Sequence, residues 1–203
     1  MSNITVWGGR GGSSLRPHWM LAELGIAYET KEVDFKAAEH KSPAYLAINP
    51  AGQVPAMKVD EFVMAESMAM THYLASKFKP EMNGATLEEQ AKGMQWELWT
   101  LLNVQEQLHH LALPVWTGVH DEAAETKAKE ALAKLLPVLD AQLAKSAYLA
   151  GESFTTGDLN ACVSLTYASF SQFDLSSYAN ISRWMAACMT RPAYLASIPP
   201  AKA

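Results

Sequence analysis

The segment NPAGQVPAMKVDEFVMAES, residues 49–67, joins an internal proline, two short apolar runs and an acid–serine pair. The runs QVPAMKVD and EFVMAE predict a β-hairpin, because two short apolar runs follow each other with the polar residues Asp60 and Glu61 between them. Proline is unusual at the start of a strand, where Pro55 stands. If the Val54–Pro55 bond is cis, the Val54 N–H and C=O face outward and can pair with an extended ligand.

The hairpin leads into a predicted helix, SMAMTHYLASKF, that begins at Glu66 and Ser67. Free N–H groups at a helix N-terminus bind anions, and a neighbouring carboxylate binds a cation. We therefore expect this end to hold a group that carries both a carboxylate and an ammonium. With Val54 paired to a peptide backbone at the other end, the segment predicts a site for a small anionic peptide.

The residues before this segment predict an α/β fold. ITVW is typical of a strand, LRPHWMLAELG of a helix that ends at Gly25, and AYETKEVDF of a second strand. With the hairpin and its helix, the order is strand, helix, strand, loop or helix, two strands, helix. This order predicts a small sheet covered by helices.

The residues after KPEMNGATLEEQ carry only helical patterns, over 87–112, 122–145, 157–170 and 180–191. We therefore predict a domain at 1–79, a linker at 80–87 and an all-helical domain at 88–203. In SFTTGDL, Thr155 and Asp158 have the spacing of a capping box.

Composition excludes several classes of function. The 203 residues carry a formal net charge of −5 and a pI of about 5.7, which argues against a nucleic-acid partner. No apolar run reaches the roughly 18 residues of a membrane span, and MSNITVW does not resemble a signal peptide. Two cysteines, Cys162 and Cys188, are too few for a disulfide framework, so a cytoplasmic protein is expected.

The glycine-rich stretch VWGGRGGSSLRPHW, residues 6–19, lies between a strand and a helix, where anions often bind. A dinucleotide-binding turn is one interpretation, with Asp34 as the ribose-binding acid. The spacing argues against it, because Ser14 stands where that motif needs glycine or alanine.

Five segments together resemble the cytosolic glutathione transferases, most closely the bacterial beta class; they are GGSSLRPHWMLAELG, NPAGQVPAM, MAESMAMTHYLASKF, YLAGESFTTGDL and RWMAACMTRPA. The resemblance implies an α/β thioredoxin-like N-terminal domain followed by an all-α C-terminal domain, the glutathione transferase fold. It also implies a homodimer and glutathione as co-substrate, with no metal or redox cofactor. Pro55 joins Gln53, Val54, Glu66 and Ser67 as an expected glutathione-binding residue.

The same resemblance places Ser13 where the beta class has a cysteine, with Ser14 next to it. A serine hydroxyl can stabilise the glutathione thiolate by a hydrogen bond but cannot form a mixed disulfide. We hypothesise that Ser13 plays this role, with Ser14 as its rival, and the alternative is that both serines only cap the helix. Arg10 and Arg16 are expected to add positive potential near the sulfur; the alternative for Arg16 is an ordinary residue on the helix surface.

Three further sets of residues are candidates, and the first of them follows from the family pattern. His109 precedes Pro114 by the five residues at which the family carries a histidine near the sulfur; the alternative is a histidine on the surface or between helices. Pro114 is expected to bend or end its helix. Asn103 is a candidate contact of glutathione. Either Lys36 or Lys41 meets the glycyl carboxylate.

The sequence therefore predicts an enzyme that conjugates glutathione to apolar electrophiles bound in the helical domain, bordered by LHHLALPVWTGVH, residues 108–120. One alternative is a glutathione-dependent peroxidase or dehalogenase-like enzyme, which uses the same thiolate on another acceptor. Because Ser13 replaces a cysteine, the other alternative is a non-catalytic protein that binds glutathione or a hydrophobic ligand.

Overall fold

The computed structural model describes residues 2–199, which form two compact units. The first unit contains the described residues of Met1–Pro80 and Pro192–Ala203, and the second is Glu81–Arg191. The sequence predicts a helical domain over 88–203, whereas the second unit ends at Arg191 and the described residues after it belong to the first unit. The predicted linker, 80–87, contains a 3₁₀ turn at Pro80–Asn83 and the first residue of the following helix.

The first unit is built on a four-stranded mixed sheet whose strands are β1 Ile4–Trp7, β2 Glu29–Lys31, β3 Ala56–Val59 and β4 Phe62–Ala65. The strand order is β2-β1-β3-β4. β1 runs parallel to β2 and antiparallel to β3, which forms the predicted hairpin with β4. The predicted order of elements and the thioredoxin-like fold are confirmed.

The helices of the first unit are α1 Leu15–Leu24, α2 Pro43–Leu46, α3 Ser67–Phe78 and α10 Pro192–Ser197. α1 ends at Gly25 in the left-handed conformation, with φ +64°, as expected of a glycine after a helix. Trp19 of α1 is fully buried and meets the Tyr194 ring of α10 edge-on, with 4.8 Å between ring centroids. This aromatic contact joins the last helix to the first unit.

The second unit is helical, with α4 Leu87–Trp99, α5 Glu106–Thr117, α6 Glu122–Leu143, α7 Thr156–Leu165, α8 Tyr167–Phe170 and α9 Ala179–Met189. A π-helical segment, Thr100–Gln105, connects α4 to α5. Pro114 is expected from the sequence to bend or end its helix. It does not end the helix, because α5 continues to Thr117. Proline removes one intrahelical hydrogen bond, and the next turn closes with Gly118 N–H donating to Pro114 O at 2.8 Å. Within residues 2–199, no helix has the length and apolar character needed to cross a membrane.

The predicted capping box at the start of α7 is present. The Thr155 N–H and hydroxyl both donate to Asp158 Oδ2 at 3.0 Å. Asp158 Oδ1 accepts from the Leu149 N–H at 2.8 Å and from Trp184 Nε1 at 2.9 Å. Burial raises the pKa of the Asp158 carboxyl, and these donors act against that rise. One buried carboxyl therefore fastens α7 to the preceding loop and to α9.

Candidate functional site

The loop between β1 and α1 packs closely against Val54. A Cβ placed on Gly8 would lie 2.7 Å from Ser14 Oγ and 3.1 Å from Val54 Cβ, and Gly8 has φ +120°. Only glycine fits this conformation and this space without displacing its neighbours. The fold thus brings together Ser14 and Val54, two predicted site residues that are far apart in the sequence.

The two serines differ in their surroundings. Both belong to the 3₁₀ turn Gly12–Ser14, which leads directly into α1; Ser13 is half-buried, whereas Ser14 is only 3% exposed. Ser14 occupies the N-cap position of α1, yet its side chain makes no capping hydrogen bond. Helix capping therefore does not account for Ser14.

His18 holds this loop from inside the first unit. Its Nε2 lies 3.0 Å from Gly8 O and therefore donates, while Nδ1 accepts from the Tyr28 hydroxyl at 2.9 Å. Burial lowers the pKa of His18, in keeping with a neutral ring in this arrangement. Sequence reasoning missed this role, because the pairing of residue 18 with residues 8 and 28 depends on the fold.

In the Gln53–Pro55 segment, the sequence leads us to expect outward-facing backbone groups of Val54 only if the Val54–Pro55 bond is cis. The Val54–Pro55 bond is cis. The Gln53 carbonyl accepts hydrogen bonds of 2.7 Å from both the Tyr45 hydroxyl and Asn49 Nδ2. Within residues 2–199, the N–H and C=O of Val54 have no hydrogen-bond partner. These two groups remain free to pair with an extended ligand.

Glu66 and Ser67 form the start of α3, as predicted. Glu66 is the N-cap and has φ +66°, a left-handed conformation that costs energy for a residue other than glycine. Ser67 follows as the first helical residue and is 8% exposed. Its Oγ accepts a 3.2 Å hydrogen bond from Nη1 of Arg16, which is 1% exposed. Arg16 is therefore not the surface residue that the sequence allowed.

A basic pair lies close to the segment 49–55. Lys41 Nζ approaches Gly52 O at 3.4 Å. His40 stacks on Phe35 with 4.6 Å between ring centroids, and its buried Nδ1 has no hydrogen-bond partner among the described residues. Of the two lysine candidates, Lys41 is the one that makes a contact with the segment. The sequence contained no motif that singled out His40.

His109, a candidate of the second unit, lies in a cluster of aromatic side chains. The His109 ring is 5.3 Å from Trp116 and 6.3 Å from Tyr167, and Phe170 packs 5.7 Å from Tyr167. Burial, and then the neighbouring His110, lower the pKa of His109, which favours the neutral ring at pH 7. Trp116 is 48% exposed, so this cluster offers an apolar surface to solvent.

Asn103, the remaining candidate, donates through Nδ2 to Trp99 O of its own helical segment at 2.9 Å. Within residues 2–199, no group of three or more histidine, cysteine or acidic side chains is arranged to hold a metal ion.

A second apolar surface lies where α5 meets α6. It is a cavity of about 420 Å³ lined by His110, Leu113, Pro114, Thr117, Val119, Asp121, Ala124 and Glu125. Most of these residues fall in 108–120, the stretch predicted to border an apolar pocket. His110 lines this cavity, whereas its neighbour His109 belongs to the aromatic cluster.

Comparison with known families agrees with this geometry. The sequence model described as "Glutathione S-transferase, N-terminal domain" matches residues 2–76, and the corresponding C-terminal domain model matches residues 67–192. The chain belongs to the glutathione S-transferase family. Members of this family take glutathione as substrate or co-substrate.

Individual relatives support the same assignment. Glutathione S-transferase F9 of Arabidopsis thaliana is 37% identical over 166 residues, which cover 77% of this chain and 76% of the relative. A theta-class enzyme from Xanthomonas axonopodis pv. citri, solved with glutathione bound, is 32% identical, with a TM-score of 0.88 and 99% coverage of both chains. A maize glutathione S-transferase I, solved with an atrazine glutathione conjugate, is 31% identical, with a TM-score of 0.83 and 96% coverage of both.

The resemblance to the bacterial beta class is corrected by these comparisons. The curated homologues are plant enzymes of the F series, the phi class. The short motifs around Ser13 and His18 suggested the beta class, but similarity over most of the chain points elsewhere. The prediction of the wider glutathione S-transferase family is confirmed.

Proposed function

We propose that this protein conjugates glutathione to small apolar electrophiles and that a serine at the start of α1 stabilises the thiolate. The observation that carries the proposal is the packing of the serine loop against Val54, whose backbone groups have no partner within residues 2–199. A peptide paired with Val54 would hold its cysteine close to that loop.

Glutathione is held along its length by the first unit in this proposal. Its cysteinyl backbone pairs with Val54, next to Gln53 and Pro55. Its γ-glutamyl carboxylate binds Ser67 and the free N–H groups of the first turn of α3, and its ammonium binds Glu66. Lys41, adjacent to Gly52, receives the glycyl carboxylate.

His40 adds to the binding of the glycyl carboxylate, because its buried Nδ1 lacks a partner among the described residues. Asn103 is not among the residues that we propose to bind glutathione, since its amide nitrogen already donates to Trp99 O. Its contact with glutathione remains a prediction from the sequence.

Ser13 is our choice for the hydroxyl that donates to the sulfur. A cysteine-like thiol has a pKa near 8.5, so only a few per cent is ionised at pH 7, and each unit of lowering corresponds to about 1.4 kcal/mol. Ser13 is half-buried and reachable, whereas the buried Ser14 hydroxyl lies against Gly8. Since serine cannot form a mixed disulfide, conjugation is favoured over thiol–disulfide exchange.

The helical unit supplies the electrophile's apolar contacts in this proposal, through His109, Trp116, Tyr167 and Phe170. Neutral His109 can polarise the electrophile by hydrogen bonding. The maize relative was solved with the glutathione conjugate of atrazine, an aromatic compound, which is consistent with such a surface.

A homodimer is part of the proposal by family membership, and sedimentation at micromolar concentration tests it.

The serine assignment is tested by the Ser13→Ala and Ser14→Ala variants. Titration of the bound thiol by its thiolate absorbance, together with conjugation of 1-chloro-2,4-dinitrobenzene, measures both pKa and turnover. We expect Ser13→Ala to raise the pKa of bound glutathione by about one unit or more and to lower turnover at pH 6.5 at least tenfold. Full activity in Ser13→Ala would show that the assignment is wrong.

Three further variants separate binding from chemistry. Ser67→Ala is expected to weaken glutathione binding without moving the pKa of the bound thiol. Trp116→Ala is expected to raise the KM for the electrophile, while Val119→Ala, in the cavity between α5 and α6, leaves that KM unchanged. If isothermal titration detects glutathione binding but several electrophiles give no turnover, the non-catalytic alternative holds instead.

A further inference from the structure

Arg16 is a cation that the fold removes almost completely from water. It lies in α1, only 1% exposed, and its Nη1 donates a 3.2 Å hydrogen bond to Oγ of Ser67. Burial of a charge is costly unless polar groups or an opposite charge compensate it. The fold therefore brings a permanent positive charge to the N-terminus of α3, from a position 51 residues earlier in the chain.

The direction of this hydrogen bond determines what Ser67 can do. A guanidinium has only donors, so the Ser67 oxygen must be the acceptor. A serine hydroxyl has one proton, and here that proton is directed away from Arg16. Ser67 is thus prepared to donate to a second group, and a carboxylate at the start of α3 is the matching acceptor.

We propose that Arg16 is a positioning residue that orients the Ser67 hydroxyl toward the γ-glutamyl carboxylate of glutathione and thereby sets selectivity for thiols carrying this carboxylate. The inference rests on the proposed function, in which Ser67 binds that group. Arg16 acts through Ser67 and through its charge, without touching the ligand. Its effect is therefore expected on binding of this one carboxylate and not on the rate of the chemical step.

The test compares two ligands that differ only at this carboxylate. One is glutathione, and the other is γ-aminobutyryl-cysteinylglycine, in which hydrogen replaces the γ-glutamyl α-carboxylate and the ammonium stays on the same carbon atom. Isothermal titration measures both affinities for the wild type, Arg16→Gln, Arg16→Lys and the control Lys58→Gln. Lys58 lies on β3 and pairs with Glu61 at 3.2 Å, so its variant removes the same charge from the same unit.

The wild type is expected to prefer glutathione by about tenfold to hundredfold, the range for hydrogen bonds to a charged group. In Arg16→Gln this preference falls at least tenfold or vanishes, while affinity for the analogue and kcat at saturating glutathione change by less than about twofold. Arg16→Lys keeps the charge but not the planar fork, so it retains only part of the preference. Lys58→Gln behaves like the wild type.

The outcomes separate this inference from the proposed function. If the wild type does not bind glutathione, the proposed function fails. If it binds both ligands equally, Ser67 does not receive the carboxylate, and the inference fails with that placement. If Arg16→Gln keeps the wild-type preference, or Lys58→Gln loses it equally, the role of Arg16 alone is overturned. If circular dichroism shows that Arg16→Gln is unfolded, Arg16→Lys decides the test. A wild-type preference for glutathione over the analogue in Arg16→Lys overturns the inference, and a reduced preference supports it.

Discussion

Two glycines meet where α4 crosses α7, and the structure predicts opposite responses to alanine at them. A Cβ added to Gly157 would lie 2.7 Å from Gly93 Cα and 2.8 Å from Gly93 O, both backbone atoms. Carbon atoms in contact are normally about 3.5–4.0 Å apart, so a helix must shift by roughly 1 Å. A Cβ added to Gly93 meets its nearest neighbour, Thr155 Oγ1, at an ordinary 3.6 Å.

The expected free energies follow from these distances. Gly93 lies inside α4, so Gly93→Ala should stabilise the protein by about 0.5–1 kcal/mol through helix propensity. Gly157→Ala should destabilise it by about 1–3 kcal/mol through overpacking, since rigid backbone cannot move aside as a side chain does. The two variants should therefore differ by about 1.5–4 kcal/mol.

Urea unfolding followed by tryptophan fluorescence measures this difference at constant pH. The same chemical change at both sides of one crossing makes each variant the control for the other. If both variants lie within about 0.5 kcal/mol of each other, or if Gly157→Ala is the more stable one, then the close crossing of α4 and α7 is incorrect.

Three further predictions concern buried polar groups and the serine loop. In Asp158→Asn, an amide nitrogen, which cannot accept a hydrogen bond, replaces one carboxylate oxygen and faces the donors that this oxygen accepts from. Urea unfolding should therefore show that the free energy of unfolding falls by about 3–5 kcal/mol. Gly8→Ala pushes a Cβ against Ser14 Oγ, so conjugation kinetics should show kcat/KM at least tenfold lower (about 1.4 kcal/mol). The control is Gly11→Ala, which should keep wild-type kinetics because Gly11 has an extended φ and open space around its Cβ position. Because burial lowers the pKa of His18 in the folded state, the unfolded chain takes up its proton first. The free energy of unfolding should therefore fall as pH drops through about 6.5, and less steeply in His18→Gln; an unchanged slope would contradict this.

Features governed by neighbouring residues were predicted correctly from the sequence. The hairpin of β3 and β4 follows from two short apolar runs separated by Asp60 and Glu61, and the α7 capping box follows from the three-residue spacing of Thr155 and Asp158. The ending of α1 at Gly25 likewise depends on local backbone conformation. In each case, the interacting groups lie within a few residues of one another, so the pattern alone contains the information.

The tertiary structure decided what depends on distant residues. The edge-on contact of Trp19 with Tyr194 joins α10 to the first unit, although its sequence continues a helical region. The environments of Ser13 and Ser14 differ because Ser14 is buried against Gly8, the residue after β1, whereas Ser13 is half-buried. The sequence allowed Arg16 either near the sulfur or on the surface, because helical periodicity defines a face of α1 but not what covers that face. Only the folded chain supplies Ser67 as its partner, and with it a function for the buried charge.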